Sequence, residues 1–147
     1  MEYWFYHLEG STLQAVLPEL LEKTREKGWR ALVKLPESQL QEMDEYLWTY
    51  RDDSFLPHGR DDEPMSEQQP IVLSAQAQDA AGFDAVFLLG GEELEKMDGV
   101  SRCMVIINGR SQDDVTRERA RWKALKDTDA ELAYYQQNER GRWEKKA

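Results

Sequence analysis

Arg119, Lys123 and Lys126 are spaced so that, on a helix advancing about 100° per residue, they fall within about 60° of one another. Trp122 sits beside this basic ridge. Val115, Trp122 and Leu125 form an adjacent apolar strip, which Glu118 interrupts. A basic ridge next to an exposed aromatic can clamp an acidic peptide that ends in a hydrophobic residue. Charge-assisted hydrogen bonds hold the carboxylates, and the ring takes the side chain. The same spacing also describes an amphipathic helix whose Trp faces the core and whose cations are solvated, and sequence physics alone favours that plainer arrangement.

A second set of residues sits where a loop should be polar. Leu47-Trp48 closes a helix-like segment. Phe55-Leu56-Pro57-His58-Gly59 follows inside a run of charge, Arg51-Asp52-Asp53 before it and Arg60-Asp61-Asp62-Glu63 after it. Turns and loops normally carry Gly, Pro, Asn, Asp and Ser. Trp48 and Phe55 must therefore be buried against the core or offered to a partner.

Other chemistry has little support. Gly90-Gly91-Glu92-Glu93 has the strand–glycine–helix shape of a phosphate cradle. It lacks GxGxxG and GxxxxGK[ST], and its two carboxylates would repel phosphate, so it reads as a plain turn. His7, His58 and Cys103 show no metal-ligand spacing. Asp52, Asp53, Asp61, Asp62 and Glu63 lack the ordered EF-hand pattern and read as a solvated acidic loop. Ser54 and His58 show no nucleophile elbow. Cys103 lies in an apolar run and reads as inert packing. No cofactor or metal is expected.

The totals bound the function further. The 147 residues suffice for one domain with a real core. No apolar run approaches the roughly 20 residues a membrane span needs. Met1-Glu2-Tyr3-Trp4 lacks the basic start and cleavage site of a signal peptide, and one cysteine fits a reducing cytosol, so a cytoplasmic protein is expected. The net charge of −10 argues against general nucleic-acid binding. Residues 1–109 hold 9 basic and 21 acidic residues, net −12, and residues 110–147 hold 10 and 8, net +2. An anionic ligand should dock on the last quarter of the chain.

The elements that would position these residues can be read in order. Tyr3 to Leu8 reads as a strand covered on both faces. Ser11, with Gln14 three residues on, opens a helix carrying the stripe Leu13, Val16, Leu17, Leu20, Leu21. Gly28 can end it, and Pro18 predicts a kink or a restart. Trp29–Leu35 is a second strand. Ser38 and Gln41 repeat the capping spacing before a helix to about Tyr50. Residues 51–70 read as a long acidic loop with a mobile segment. Strands follow at Ile71–Ala75, Phe83–Leu89, with a short acidic helix after it, and Cys103–Ile107. Asp113 or Asp114 caps a last helix to about Lys126. Glu131–Gln136 and Arg142–Lys145 read as a terminal hairpin. Strands alternating with helices predict an α/β domain spanning 1–147, with a single open, mostly parallel sheet flanked by helices.

The chain resembles the chi subunits of bacterial DNA polymerase III, accessory proteins of the clamp-loader complex. The resemblance covers nearly the whole length. It rests on Phe5-Tyr6, on Leu47-Trp48 followed by Ser54-Phe55-Leu56-Pro57-His58, and on Arg117-Glu118-Arg119-Ala120-Arg121-Trp122-Lys123. It implies a Rossmann-like fold without a nucleotide site, no intrinsic activity, and a role as a protein–protein bridge within the polymerase holoenzyme, touching DNA only indirectly. By the family pattern, Arg119, Trp122 and Lys123 would take the acidic, Phe-terminated tail of single-stranded-DNA-binding protein, and Lys126 joins them by its place on the same helix face. Trp48, Phe55, Pro57 and His58 would face the psi subunit or a helicase. The acidic loop 60–70 and Arg142–Lys146 are departures not shared by every member. The rival readings are a small nucleotide-dependent enzyme of doubly wound fold, which architecture alone does not exclude, and a protein that binds DNA directly, which the charge disfavours.

Overall fold

A computed structural model describes residues 1–50 and 56–147. Phe55, together with residues 51–54, lies outside the described residues. The elements are β1 (Glu2–Leu8), α1 (Leu13–Glu26), β2 (Ala31–Lys34), α2 (Glu37–Thr49), β3 (Gly59–Arg60), β4 (Ile71–Ser74), β5 (Ala85–Leu88), β6 (Arg102–Asn108), α3 (Gln112–Lys126), β7 (Glu131–Gln137) and β8 (Trp143–Lys145). Among the described residues one eight-stranded sheet runs β3-β4-β2-β5-β6-β1-β7-β8. Every pairing is parallel except the β7–β8 hairpin. This is the open, mostly parallel α/β sheet with a C-terminal hairpin that the alternation of periods predicts.

The sheet separates two cores. On one face α1 and α2 lay Leu17, Leu21, Leu40 and Leu47 over Tyr6, Val33, Leu73, Phe87 and Ile106. On the other, α3 brings Val115 and Trp122 against Phe5, Val86, Val105 and Ile107. Strands buried on both faces carry continuous apolar runs because helices cover both sides. All four residues of β2 and of β5 are accordingly buried.

Several local expectations are corrected. The cap of α1 is Thr12, whose hydroxyl accepts from the Ala15 amide, one residue after Ser11. Helix α1 passes through Pro18 without a restart, and Pro18 is buried in the core-facing side. Ser38 lies inside the first turn of α2, where Pro36 takes the cap position with no side-chain bond. The cap of α3 is Ser111, which accepts from the Asp114 amide, so neither Asp113 nor Asp114 plays that part. Asp113 and Asp114 instead occupy the first turn, where the helix dipole favours carboxylates. No helix follows Gly90-Gly91; residues 92–101 are irregular and held by an isolated bridge between Asp79 and Lys96. Within the segment read as a loop over 51–70, Gly59–Arg60 pairs with β4 as an edge strand and Ser66–Gln68 forms a 3-10 turn. No helix among the described residues is long and apolar enough to cross a membrane.

Candidate functional site

Helix α3 presents five cations, and they fall into two groups. Its inward side carries Val115 and Glu118, both buried, with Trp122 and Leu125 half-buried. Arg117 and Arg121 lie on the flank toward the 90–97 segment and are committed to carboxylates there. Arg117 pairs with Asp114 at 2.6 Å. Arg121 lies 3.0 Å from Glu118 and 3.7 Å from Glu93, and donates to the Glu92 carbonyl at 3.1 Å. Burial holds the Glu118 carboxyl above its usual range, opposed first by the charge of Arg121 and then by that of Arg117. Arg119, Lys123 and Lys126 are exposed on the opposite flank, and none pairs with a described carboxylate.

Trp122 is half core and half surface. Its ring meets Phe5 edge-on at 5.2 Å and Tyr134 at 5.6 Å. The Lys126 ammonium lies 5.7 Å from its ring centroid. The sequence left two arrangements open, and the structure combines them: the indole packs on β1 and β7 while the cations beside it stay in solvent. Tyr134 of β7, which sequence reasoning did not single out, lies next to this ridge. Its hydroxyl is 2.6 Å from Nδ1 of buried His7, and its ring stacks on Phe5 at 6.3 Å. Burial raises the Tyr134 hydroxyl pKa, and the charge of Arg119 opposes that rise. Strand alternation places Tyr134 and Leu132 on one face, but only the register with β1 says that α3 covers that face.

The second candidate surface lies elsewhere. Trp48, near the end of α2, is 47% exposed, whereas His58 is 1% exposed, so the two rings form one step from solvent to core. Leu56 is buried beside them and Pro57 is half-buried. His58 Nδ1 lies 2.7 Å from the Leu56 carbonyl, and Nε2 lies 3.2 Å from the Asp44 carbonyl and 3.1 Å from its carboxylate. The histidine therefore ties residues 56–58 to α2. This surface and the α3 ridge are distinct, since α2 and α3 cover opposite faces of the sheet.

The nucleotide reading loses ground on the glycine turn. Gly90 and Gly91 both have positive φ, 61° and 79°. A Cβ at Gly90 would meet Pro36 at 2.7 Å, and one at Gly91 would meet Arg117 at 2.5 Å. Arg117 thus covers Gly91, whereas Gly90 also lines a neighbouring cavity. Glu92 is bound to buried Lys34 at 2.9 Å. A cavity of about 480 Å³ does lie beyond the carboxyl ends of β1 and β6, between the starts of α1 and α3. Asp114 lines it together with Arg110, so it is not a cationic cradle. No cluster of metal-ligating residues occurs among the described residues. Cys103 is buried, and burial pushes its thiol pKa up to about 12, leaving an unreactive packing residue.

Comparison with known proteins gives the family. The sequence model of the family described as DNA polymerase III chi subunit, HolC, matches residues 1–133. The chain is also similar to the probable DNA polymerase III subunit chi of Rickettsia prowazekii (strain Madrid E), at 23% identity over 97 residues. That similarity takes in 65% of this chain and 59% of the relative, so the chain spans less than two thirds of the relative's length. The ridge on α3 and the Trp48 surface fall within the family match, and β8 falls outside it.

Proposed function

The chain belongs to the DNA polymerase III chi subunit family, and on that premise we propose that it is a non-catalytic adaptor linking the clamp-loader complex to the acidic C-terminal tail of single-stranded-DNA-binding protein. Family membership supports the broader role, an accessory protein of DNA replication. The finer reading is carried by one observation: three of the five cations of α3, Arg119, Lys123 and Lys126, stand exposed beside Trp122 without a described carboxylate partner. In a chain of net charge −10, uncompensated cations on one helix flank are suited to an anionic peptide. Trp122 offers the apolar contact that a hydrophobic last residue would use.

The Trp48 surface is proposed to take the second partner, a psi subunit or a helicase, with Pro57 and His58 beside it. Exposed Trp next to a buried, well-bonded His gives an aromatic anchor on a fixed base, the kind of residue that dominates interface energy. DNA would be reached only through partners, because the acidic body repels phosphate. The carboxylates Glu92 and Glu93 directly after the glycine turn support the absence of nucleotide chemistry.

The test is a pull-down with single-stranded-DNA-binding protein, intact and lacking its last residues. The intact protein should be retained and the truncated one lost. Equal retention of both would remove the tail from the reading.

A further inference from the structure

The basic flank of α3 is only one side of a shallow trough. Its floor is β7, on which α3 packs, and Tyr134 lies there against Phe5 and Trp122. The opposite side is β8, the edge strand of the sheet. Lys146 directly follows β8, and its amide donates to the Tyr134 carbonyl at 2.7 Å. The Tyr134 amide in turn donates to the Ala147 carbonyl at 3.2 Å, so Lys146 and Ala147 together lie beside Tyr134 just beyond the paired residues Tyr135 and Lys145. Glu144 pairs with Gln136, which shares a strand face with Tyr134, and the Lys146 ammonium lies 3.8 Å from the Glu144 carboxylate on that side, the one that α3 covers. Tyr134 thus has Arg119 on its helix side and Lys146 on its strand side.

Lys146 is available for a ligand. Its ion pair with Glu144 is long, 3.8 Å, and both side chains are about half exposed, 52% and 49%. Such pairs are worth little. Residues 138–147 hold four basic and two acidic residues, a net positive segment in a chain of net −10. The carboxylates facing this floor are Glu144 and, near the Tyr134 hydroxyl, Glu9. The family match ends at residue 133, so the family pattern does not account for this side of the trough.

We infer that the β7–β8 hairpin supplies the second wall of the peptide site: an acidic, extended segment lies over Tyr134, its carboxylates held by Arg119 and Lys123 on one side and by Lys146 on the other. This rests on the reading that the α3 ridge takes an acidic tail. It adds that the segment crosses from helix to edge strand, and that Lys146 draws on the ligand in preference to Glu144.

The experiment measures the affinity of a labelled acidic, Phe-terminated peptide by fluorescence anisotropy for the full chain and three variants. Lys146→Glu should weaken binding about fivefold or more, and about 0.5 M salt should shrink that difference. Lys23→Glu makes the same change of net charge at an exposed position of α1, on the other face of the sheet. It should change affinity less than about twofold, since the sheet separates α1 from α3 and salt screens exposed charges. Arg119→Ala reports on the ridge itself. Loss with Arg119→Ala, but equal effects of Lys146→Glu and Lys23→Glu, overturns the second wall and leaves the ridge standing. No binding to the unaltered chain overturns both.

Discussion

The rings of Trp48 and His58 lie 4.1 Å apart, centroid to centroid, one in solvent and the other in the core. This contact separates what the two residues do. Removing Trp48 deletes a half-exposed ring that packs on His58, whereas removing His58 deletes its contacts with the Leu56 carbonyl and with the carbonyl and carboxylate of Asp44. Trp48→Ala should keep the urea midpoint near that of the unaltered chain and lose capture of a psi or helicase partner. His58→Ala should cost about 1.5–3 kcal/mol of stability, as expected for a hydrogen bond to a charged group. A multi-kcal loss for Trp48→Ala with capture intact would make Trp48 an ordinary packing residue.

Arg119 is exposed and carries no described ion pair, so its removal should leave the fold intact. If it holds a carboxylate of the tail, Arg119→Ala removes a charge-assisted bond worth about 1.5–3 kcal/mol, roughly ten- to a hundred-fold in affinity. Calorimetry with a tail peptide reads this directly. The affinity of the unaltered chain should also fall as salt rises. Trp122→Ala is a poorer probe, because its ring packs on Phe5 and Tyr134 and its loss would loosen α3 as well.

Glu118 makes stability depend on pH in a defined direction. Its pKa in the fold is raised above 4.5, with burial the largest cause. The fold therefore binds this proton more tightly than the unfolded chain does. The stabilisation is fully present below the unfolded value and is lost as pH rises through the folded one. Glu118→Gln removes this titration while keeping an acceptor for Arg121. The stability of the unaltered chain relative to Glu118→Gln should thus be more favourable near pH 4 than near pH 7, about the range where a raised carboxyl titrates. Urea unfolding of both proteins at the two pH values checks it; a pH-independent difference would mean that Glu118 titrates normally.

A glycine turn without a phosphate-binding motif and followed by two carboxylates should bind no nucleotide. Thermal unfolding with millimolar ATP, GTP or NAD should show no upward shift. A ligand present at 100 times its dissociation constant would add about 2.7 kcal/mol, an effect easily seen. A reproducible shift with any one of them would reopen the enzyme reading and direct attention to the cavity between the starts of α1 and α3.

The sequence by itself determined what local periodicity encodes. Continuous apolar runs bounded by turn residues gave β1, β2, β4, β5 and β6, and stripes at helical spacing gave α1, α2 and α3. The basic ridge on α3 followed from spacing alone, since side chains three, four and seven apart share a helix face whatever surrounds it. Tertiary structure decided everything that depends on register between distant segments. It set the order of the strands and made a strand of Gly59–Arg60, two residues too short to carry a pattern, by pairing them with β4. Its packing of α3 on the sheet buried Glu118 against Arg121, and the neighbouring segment brought Arg121 the Glu92 carbonyl and the Glu93 carboxylate, 28 and more positions away. Arg119 has the same charge and lies two residues earlier, yet it remained exposed. Sequence spacing distinguishes faces of a helix, but which face meets a carboxylate and which meets solvent depends on what another part of the chain brings there.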